Sequence, residues 1–295
     1  MWKGIITGLL IGSLFGLGGF FLLRDNSGAM GGVLFLLLPA AAGFAVGIVA
    51  QQSKIVPASL VIAAVLCFSI LLMTGAEGLV CVLMAAPLIA IGLAIGAWLG
   101  FLFRKHIIDK SKVPPSVKAG MLLILPLFLL GANRVEQPVR RVPRTETFVT
   151  TFRINATPER VWNQLKRVDA INASKPFLLR IGLPVPISCS LEGEGVGGKR
   201  VCHFDSGYIE ERVTAWNPPL SMGLEITESR LPGRHWLGFK DASYELQQEG
   251  DSTIVTRKTT IISRLYPAWY WRRLEGLGVE AEHQYLLRDV ASKLQ

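Results

Sequence analysis

The sequence predicts a membrane α-helical bundle followed by a water-soluble α+β domain, with an antiparallel sheet and a long C-terminal helix. Three observations predict it. Residues 1–132 hold only 11 of the 53 Asp, Glu, Lys and Arg residues, and these cluster between apolar runs of about 20 residues, the length that crosses ~30 Å of hydrocarbon. From residue 145, short alternating segments recur between Gly- and Pro-rich turns, as strands do. The chain then ends on a stretch from Pro267 to Leu294 in which Val279, Leu286, Val290 and Leu294 line one helical face.

The bundle comprises about five spans, at residues 4–23, 31–50, 55–74, 78–103 and 115–133. The first is too long for a signal-peptide core and lacks an A-x-A site, so it is expected to be retained. The fifth has only the 14 apolar residues Ala119–Ala132 and spans only if the helix is counted from Pro115, with Lys118 snorkelling. Glycines recur every four residues at Gly8, Gly12 and Gly16, at Gly43 and Gly47, and at Gly92, Gly96 and Gly100. Such stripes let helix backbones approach closely, either within the bundle or along a homo-oligomer seam. Arg24, Asp25, Lys54 and Glu77 all fall at span ends, whereas a transport path calls for ionisable groups in mid-span.

Five spans put Lys3, Lys54, Arg104, Lys105, Lys110, Lys112 and Lys118 on one side. Arg24, Arg134, Arg140, Arg141 and Arg144 fall on the other, so the short-loop bias places the N-terminus inside. The expected location is therefore the cell (inner) membrane, with the soluble domain extracytoplasmic. If the fifth segment only dips into the bilayer, that domain faces the cytoplasm. The +9 net charge is divided over both halves. First-half cations lie in loops between apolar runs, where they set topology and meet anionic headgroups, so no nucleic-acid partner is expected.

Residues 133–144, with Pro138 and Pro143 among charges, read as a linker into a domain at 145–295. A strand with Phe148, Thr150, Phe152 and Ile154 on one face comes first. Thr157 then caps a short helix, with Pro158 in its first position, Glu159 at its positive end, and Val161, Trp162 and Leu165 on its apolar face. Further strands are predicted at Ile187–Gly193, Lys199–Phe204, Tyr208–Trp216, Ser221–Glu228, Ala242–Gln248 and Thr253–Ser263. The glycines at 193–198 lead into a strand rather than a helix, so they form a hairpin turn and not a phosphate cradle.

The run Ile154-Asn155-Ala156-Thr157-Pro158-Glu159-Arg160-Val161-Trp162 resembles the opening of the START-like superfamily (SRPBCC domains, including polyketide cyclase/dehydrases and lipid-transport proteins). Gly195-Val196-Gly197 and the closing helix support the resemblance, which covers residues 145–295. It implies a helix-grip fold, in which a curved sheet grips the long helix around an apolar cavity. It also implies binding of a membrane lipid or other small hydrophobic molecule, with a cyclase-like enzyme or a domain that recruits a protein as the other readings.

Candidate chemistry is sparse. Cys189 and Cys202 are equidistant from the centre of the glycine turn, with Ile187 opposite Phe204, so they face each other as either a disulfide or two buried thiols. Trp269, Trp271, Arg272, Arg273 and Leu274 open the last helix, where arginines oppose the helix dipole. They are candidates for a cavity mouth that meets a lipid headgroup, or else Trp271 is core and the arginines pair with Glu275 or sheet carboxylates. Glu210 and Glu211 are neighbours in a strand and point to opposite faces. His203 could approach Asp205 or Glu210, while His235 lies in a loop and His283 between helix faces. No catalytic constellation, metal site or cofactor is expected from these residues.

Overall fold

The computed structural model describes residues 2–23, 30–49, 55–73, 79–110, 113–140, 142–233 and 236–295. Arg24, Asp25, Lys54, Glu77, Lys112 and Arg141 of the loop-charge argument, and His235, lie outside them. The chain divides into two compact units, Met1–Val142 with Leu265–Pro267, and Pro143–Arg264 with Ala268–Gln295.

The first unit is helical. Helix α1 begins as Trp2–Ser13 and continues through Leu14–Gly18 and Gly19–Leu23. Then come α2 (Val33–Val49), α3 (Ile55–Met73), α4 (Leu79–Ile108) and α5 (Pro115–Arg140). Four of these helices are long and apolar enough to cross a membrane, at Ile6–Leu23, Val56–Met73, Leu79–Ile108 and Leu122–Val139. The marginal segment in the sequence is the fifth, yet α5 is a 26-residue helix, whereas α2 is the short one. At 1.5 Å per residue α2 covers roughly 26 Å. Helix α5 also takes in most of the stretch expected as a linker, leaving residues 141–143 before the first strand. The expectation rests on Pro138 and Pro143 among charges, but Pro143 lies beyond the helix, and Pro138 in its last turn forfeits a single intrahelical bond and does not stop it.

Glycine stripes hold this unit together from within. A Cβ added at Gly92 would come within 2.6 Å of the Leu36 carbonyl oxygen, and one at Gly96 would overlap the Ala40 carbonyl. At Gly47 an added Cβ would meet the Ala97 carbonyl oxygen at 2.6 Å. Glycines of α2 and α4 are thus pressed against each other's backbones. Gly8, Gly12 and Gly16 of α1 instead receive the small side chains of Ser59, Ala63 and Cys67 of α3, which an added Cβ would meet at 2.8, 3.0 and 3.0 Å. Lipid tails cannot match the dispersion attraction between helices packed this closely.

The second unit is one antiparallel seven-stranded sheet with a long helix across it. Its strands are β1 (Arg144–Ile154), β2 (Pro186–Glu192), β3 (Lys199–Phe204), β4 (Gly207–Asn217), β5 (Ser221–Ser229), β6 (Leu237–Glu249) and β7 (Ser252–Ser263), in the order β1-β7-β6-β5-β4-β3-β2. The short helices α6 (Pro158–Lys166) and α7 (Phe177–Arg180) lie between β1 and β2, and α8 (Ala268–Leu294) closes the chain. Register shifts in β2, β4, β5 and β6 mark bulges that bend the sheet. The curved sheet and α8 enclose a core in which Val161, Leu165, Met222, Leu224, Val255, Leu287 and Val290 are essentially inaccessible. Trp162 and Trp216 meet there edge to face, with ring centroids 4.9 Å apart. This is the helix-grip arrangement.

Candidate functional site

Side chains along a strand alternate between faces, and directly opposed residues on neighbouring strands share a face. Strand register therefore assembles a polar row inside an apolar core. Thr150 of β1 pairs with Arg257 of β7, which pairs with Tyr244 of β6, which pairs with Met222 of β5. Further along, Arg200 of β3 stands opposite Glu211 of β4. All five polar residues are buried, with Arg200 and Tyr244 each only 1% exposed.

Helix α8 supplies the remaining groups. Glu282 accepts from Arg257 Nη2 at 3.1 Å. His283, fully buried, lies 2.8 Å from the hydroxyls of both Thr150 and Thr259, one at each ring nitrogen. Burial, and then the neighbouring Arg257 cation, lower its pKa to about 2, so the imidazole is neutral and serves as a fixed bridge between helix and sheet.

The charged pairs differ in how completely they are satisfied. Arg200 Nη1 donates to Glu211 Oε2 at 2.5 Å and Nη2 to the Leu165 carbonyl at 3.4 Å. Arg257 has its guanidinium carbon 5.2 Å from the centre of the Tyr244 ring, a cation–π distance. Yet among the described residues Nε and Nη1 of Arg257 and Nε of Arg200 are buried without a hydrogen-bond partner, and the Tyr244 hydroxyl, close enough to Arg200 to help hold its charge, finds no acceptor for its own proton. Burial pushes the Tyr244 phenol above its usual pKa, outweighing the pull of Arg257 and Arg200 in the other direction. Burial also opposes the charge on both arginines. Their anionic neighbours, Glu211 for Arg200 and Glu282 for Arg257, outweigh it and leave both pKa values raised. The row is a set of permanent cations and a neutral phenol with donors to spare.

A second charged pair lies nearer the start of α8, where the buried Glu275 accepts from both Ser263 and the partly buried Arg144. At the other end, Asp289 accepts from the Asn172 amide at 2.7 Å, and the Tyr285 hydroxyl donates to the Ile171 carbonyl at 3.4 Å. These bonds tie the segment after α6 to the closing helix.

The residues singled out from sequence fall in different places. Trp271 is buried, Leu274 is partly buried, and Trp269 is 68% exposed. Arg272 pairs with the sheet carboxylate of Glu146 at 3.0 Å, and Arg273 is exposed. Trp269, Arg272 and Arg273 lie about three turns from Glu282 and His283 along α8 and are not brought into the buried row. Cys189 and Cys202 are opposed in register and joined by a disulfide. Pro186, not Ile187, stands opposite Phe204, because a bulge between Pro186 and Ser188 inserts a residue into β2. Glu210 and Glu211 do point to opposite faces, Glu210 pairing with Lys199 at 2.9 Å on the outside and Glu211 with Arg200 within.

Sequence reading does not find the buried row. Its one legible signal is charged or aromatic polar residues at inward positions of alternating strands, notably Arg257 between Val255 and Thr259.

No family model matches the chain, and no curated protein matches it. Among solved structures, the Aha1 dimer from Colwellia psychrerythraea is similar at 16% identity, over 50% of this chain and 96% of that one, with a TM-score of 0.34. Ara h 8.0201 is similar at 13% identity over 51% and 98%, with a TM-score of 0.36. A norcoclaurine synthase point mutant from Thalictrum flavum, in complex with a transition-state analogue, is similar at 12% identity over 52% and 95%, with a TM-score of 0.35. Each of these spans only half of this chain, and the strand order and closing helix described above are themselves what give its C-terminal half the helix-grip fold.

Proposed function

We propose that this chain is a membrane-tethered, START-like binding protein that holds a lipid or other small hydrophobic molecule between its curved sheet and α8 without transforming it. The observation that carries the reading is the largely apolar interior between sheet and α8 in the second unit, in a chain whose other unit has four helices long and apolar enough to cross a bilayer. Tethering keeps such a cup near the phase where hydrophobic ligands are concentrated. The imidazole of His283 is held at both nitrogens and neutral, which suits a structural bridge better than a proton carrier. Trp269, Arg272 and Arg273 would lie at the mouth.

The disulfide supports an extracytoplasmic domain, since such bonds persist in oxidising compartments. That side follows if α2, though short, crosses along with the other four helices.

One observation favours a cyclase-like enzyme as a second reading. Tyr244, Arg257 and Glu282 give the interior polar groups that could polarise a bound substrate. Mass spectrometry of small molecules that co-purify with the full chain separates the readings. A lipid recovered unchanged after incubation supports binding. A transformed product supports the enzyme, and a chain that retains no small molecule contradicts both.

A further inference from the structure

Buried polar atoms in folded proteins are almost all hydrogen-bonded, so a cluster of exceptions calls for a physical account. Here four donor sites are exceptions together: Nε and Nη1 of Arg257, Nε of Arg200 and the Tyr244 hydroxyl. They belong to three residues that are each more than nine-tenths buried. Arg257 and Tyr244 are opposed in register, and the Tyr244 hydroxyl oxygen lies near enough to Arg200 to accept from it and hold its charge, which leaves the phenol proton without an acceptor. What the cluster lacks is chemically one-sided. Guanidinium nitrogens only donate, and the phenol retains its proton. The missing partner is therefore an acceptor, and beside two cations a charged acceptor makes the stronger bonds.

We propose that Arg257, Tyr244 and Arg200 form an oxyanion site for the head of an amphipathic ligand, a carboxylate or phosphate whose acyl chain lies along the apolar wall of Met222, Leu224 and Val255. The proposal rests on the hydrophobic-ligand reading and adds the chemical class of the ligand's polar end. Nη2 of Arg257 is taken by Glu282, so an oxyanion would meet one remaining donor of that guanidinium, and the phenol proton would add a second bond. Glu211 and Glu282 do not compete for this role. Each engages other nitrogens of its arginine and leaves the remaining donors unbonded.

The test is native mass spectrometry of the full chain, released from detergent micelles after incubation with oleate, oleoyl lysophosphatidate or methyl oleate. The expected result is one retained molecule of an anionic lipid, at least tenfold more abundant than methyl oleate. Retention of oleate alone identifies a carboxylate head, and retention of lysophosphatidate alone a phosphate head. Tyr244→Phe removes a hydroxyl whose proton has no acceptor among the described residues and keeps the ring beside Arg257, and it is expected to cut the preference at least threefold, with near-ultraviolet circular dichroism confirming a native core. Arg257→Met is expected to abolish the preference, with near-ultraviolet circular dichroism again confirming a native core. Equal retention of methyl oleate and oleate overturns the oxyanion site but leaves the hydrophobic-ligand reading standing. Retention of none of the three removes both.

Discussion

Arg200 and Glu211 are opposed in register on adjacent strands and bonded at 2.5 Å, with both side chains almost wholly inside the domain. Truncating one partner of such a pair leaves the other charge buried and uncompensated, which costs about 3–5 kcal/mol, whereas replacing both by apolar residues is often close to neutral. Glu211→Ala is therefore expected to destabilise the second unit by about that amount. The double substitution Arg200→Met with Glu211→Leu should recover most of the loss. Denaturant unfolding of the full chain, followed by tryptophan fluorescence, measures both. Simple additivity of the two single losses would count against the coupling.

His283 makes stability depend on pH. Its folded pKa is about 2, against 6.5 for the free group, so below pH 6.5 the unfolded chain takes up a proton that the folded chain refuses. Stability is then complete above pH 6.5 and falls with acidity, by roughly 2 kcal/mol between pH 6.5 and 5. His283→Gln keeps one donor and one acceptor for Thr150 and Thr259 but does not titrate. Its stability curve over that interval should be flatter than that of the parent, and an unchanged slope would assign the acid sensitivity to other groups.

Alkylation of unreduced, denatured protein should modify two cysteines, Cys67 and Cys81, and four after reduction. The bond between Cys189 and Cys202 closes a short loop, for which chain-entropy reasoning gives about 3 kcal/mol of stabilisation. Cys189→Ala with Cys202→Ala is expected to lower the midpoint of unfolding accordingly. Four modified residues in the unreduced sample would show that the pair is a dithiol in the cell.

In the helical unit, Gly96→Ala is the most severe small change available. The new methyl group would overlap the backbone of Ala40, so α2 and α4 must separate along their whole seam. Detergent resistance, read as the fraction folded against increasing dodecyl sulfate, should drop markedly for Gly96→Ala. Gly120→Ala, where a Cβ meets no atom of the described residues within 4 Å, should leave it unchanged.

Strands and helices are legible in the sequence because their signals are local. Alternation, the cap at Thr157 with Pro158, and the turn glycines at 193–198 place every strand of the sheet to within a few residues, apart from an earlier start for β6 at Leu237. The limits of α5 are less legible, since Pro138 carries a stop signal that its place in a last turn cancels. The buried row is hidden for a different reason. Thr150, Arg200, Glu211, Tyr244, Arg257 and His283 come from six elements, and only long-range register and the seating of α8 bring them together. Periodicity marks a position as inward without saying which inward residues meet. The pairing of Cys189 with Cys202 is accessible because a single hairpin fixes it, whereas the row needs the order of all seven strands.

The disulfide has a mechanical consequence for the margin of the sheet. Strand β2 is an outermost strand, and a slip of one residue against β3 would turn every inward side chain outward. A covalent link between directly opposed residues forbids that slip at any temperature short of bond cleavage. Backbone bonds from Val168 and Ile171 to Cys189 and Ile187 then shield the outer rim of the same strand. The border that would otherwise recruit a stray strand from another molecule is both latched and covered, and reduction would remove the latch while leaving the cover in place.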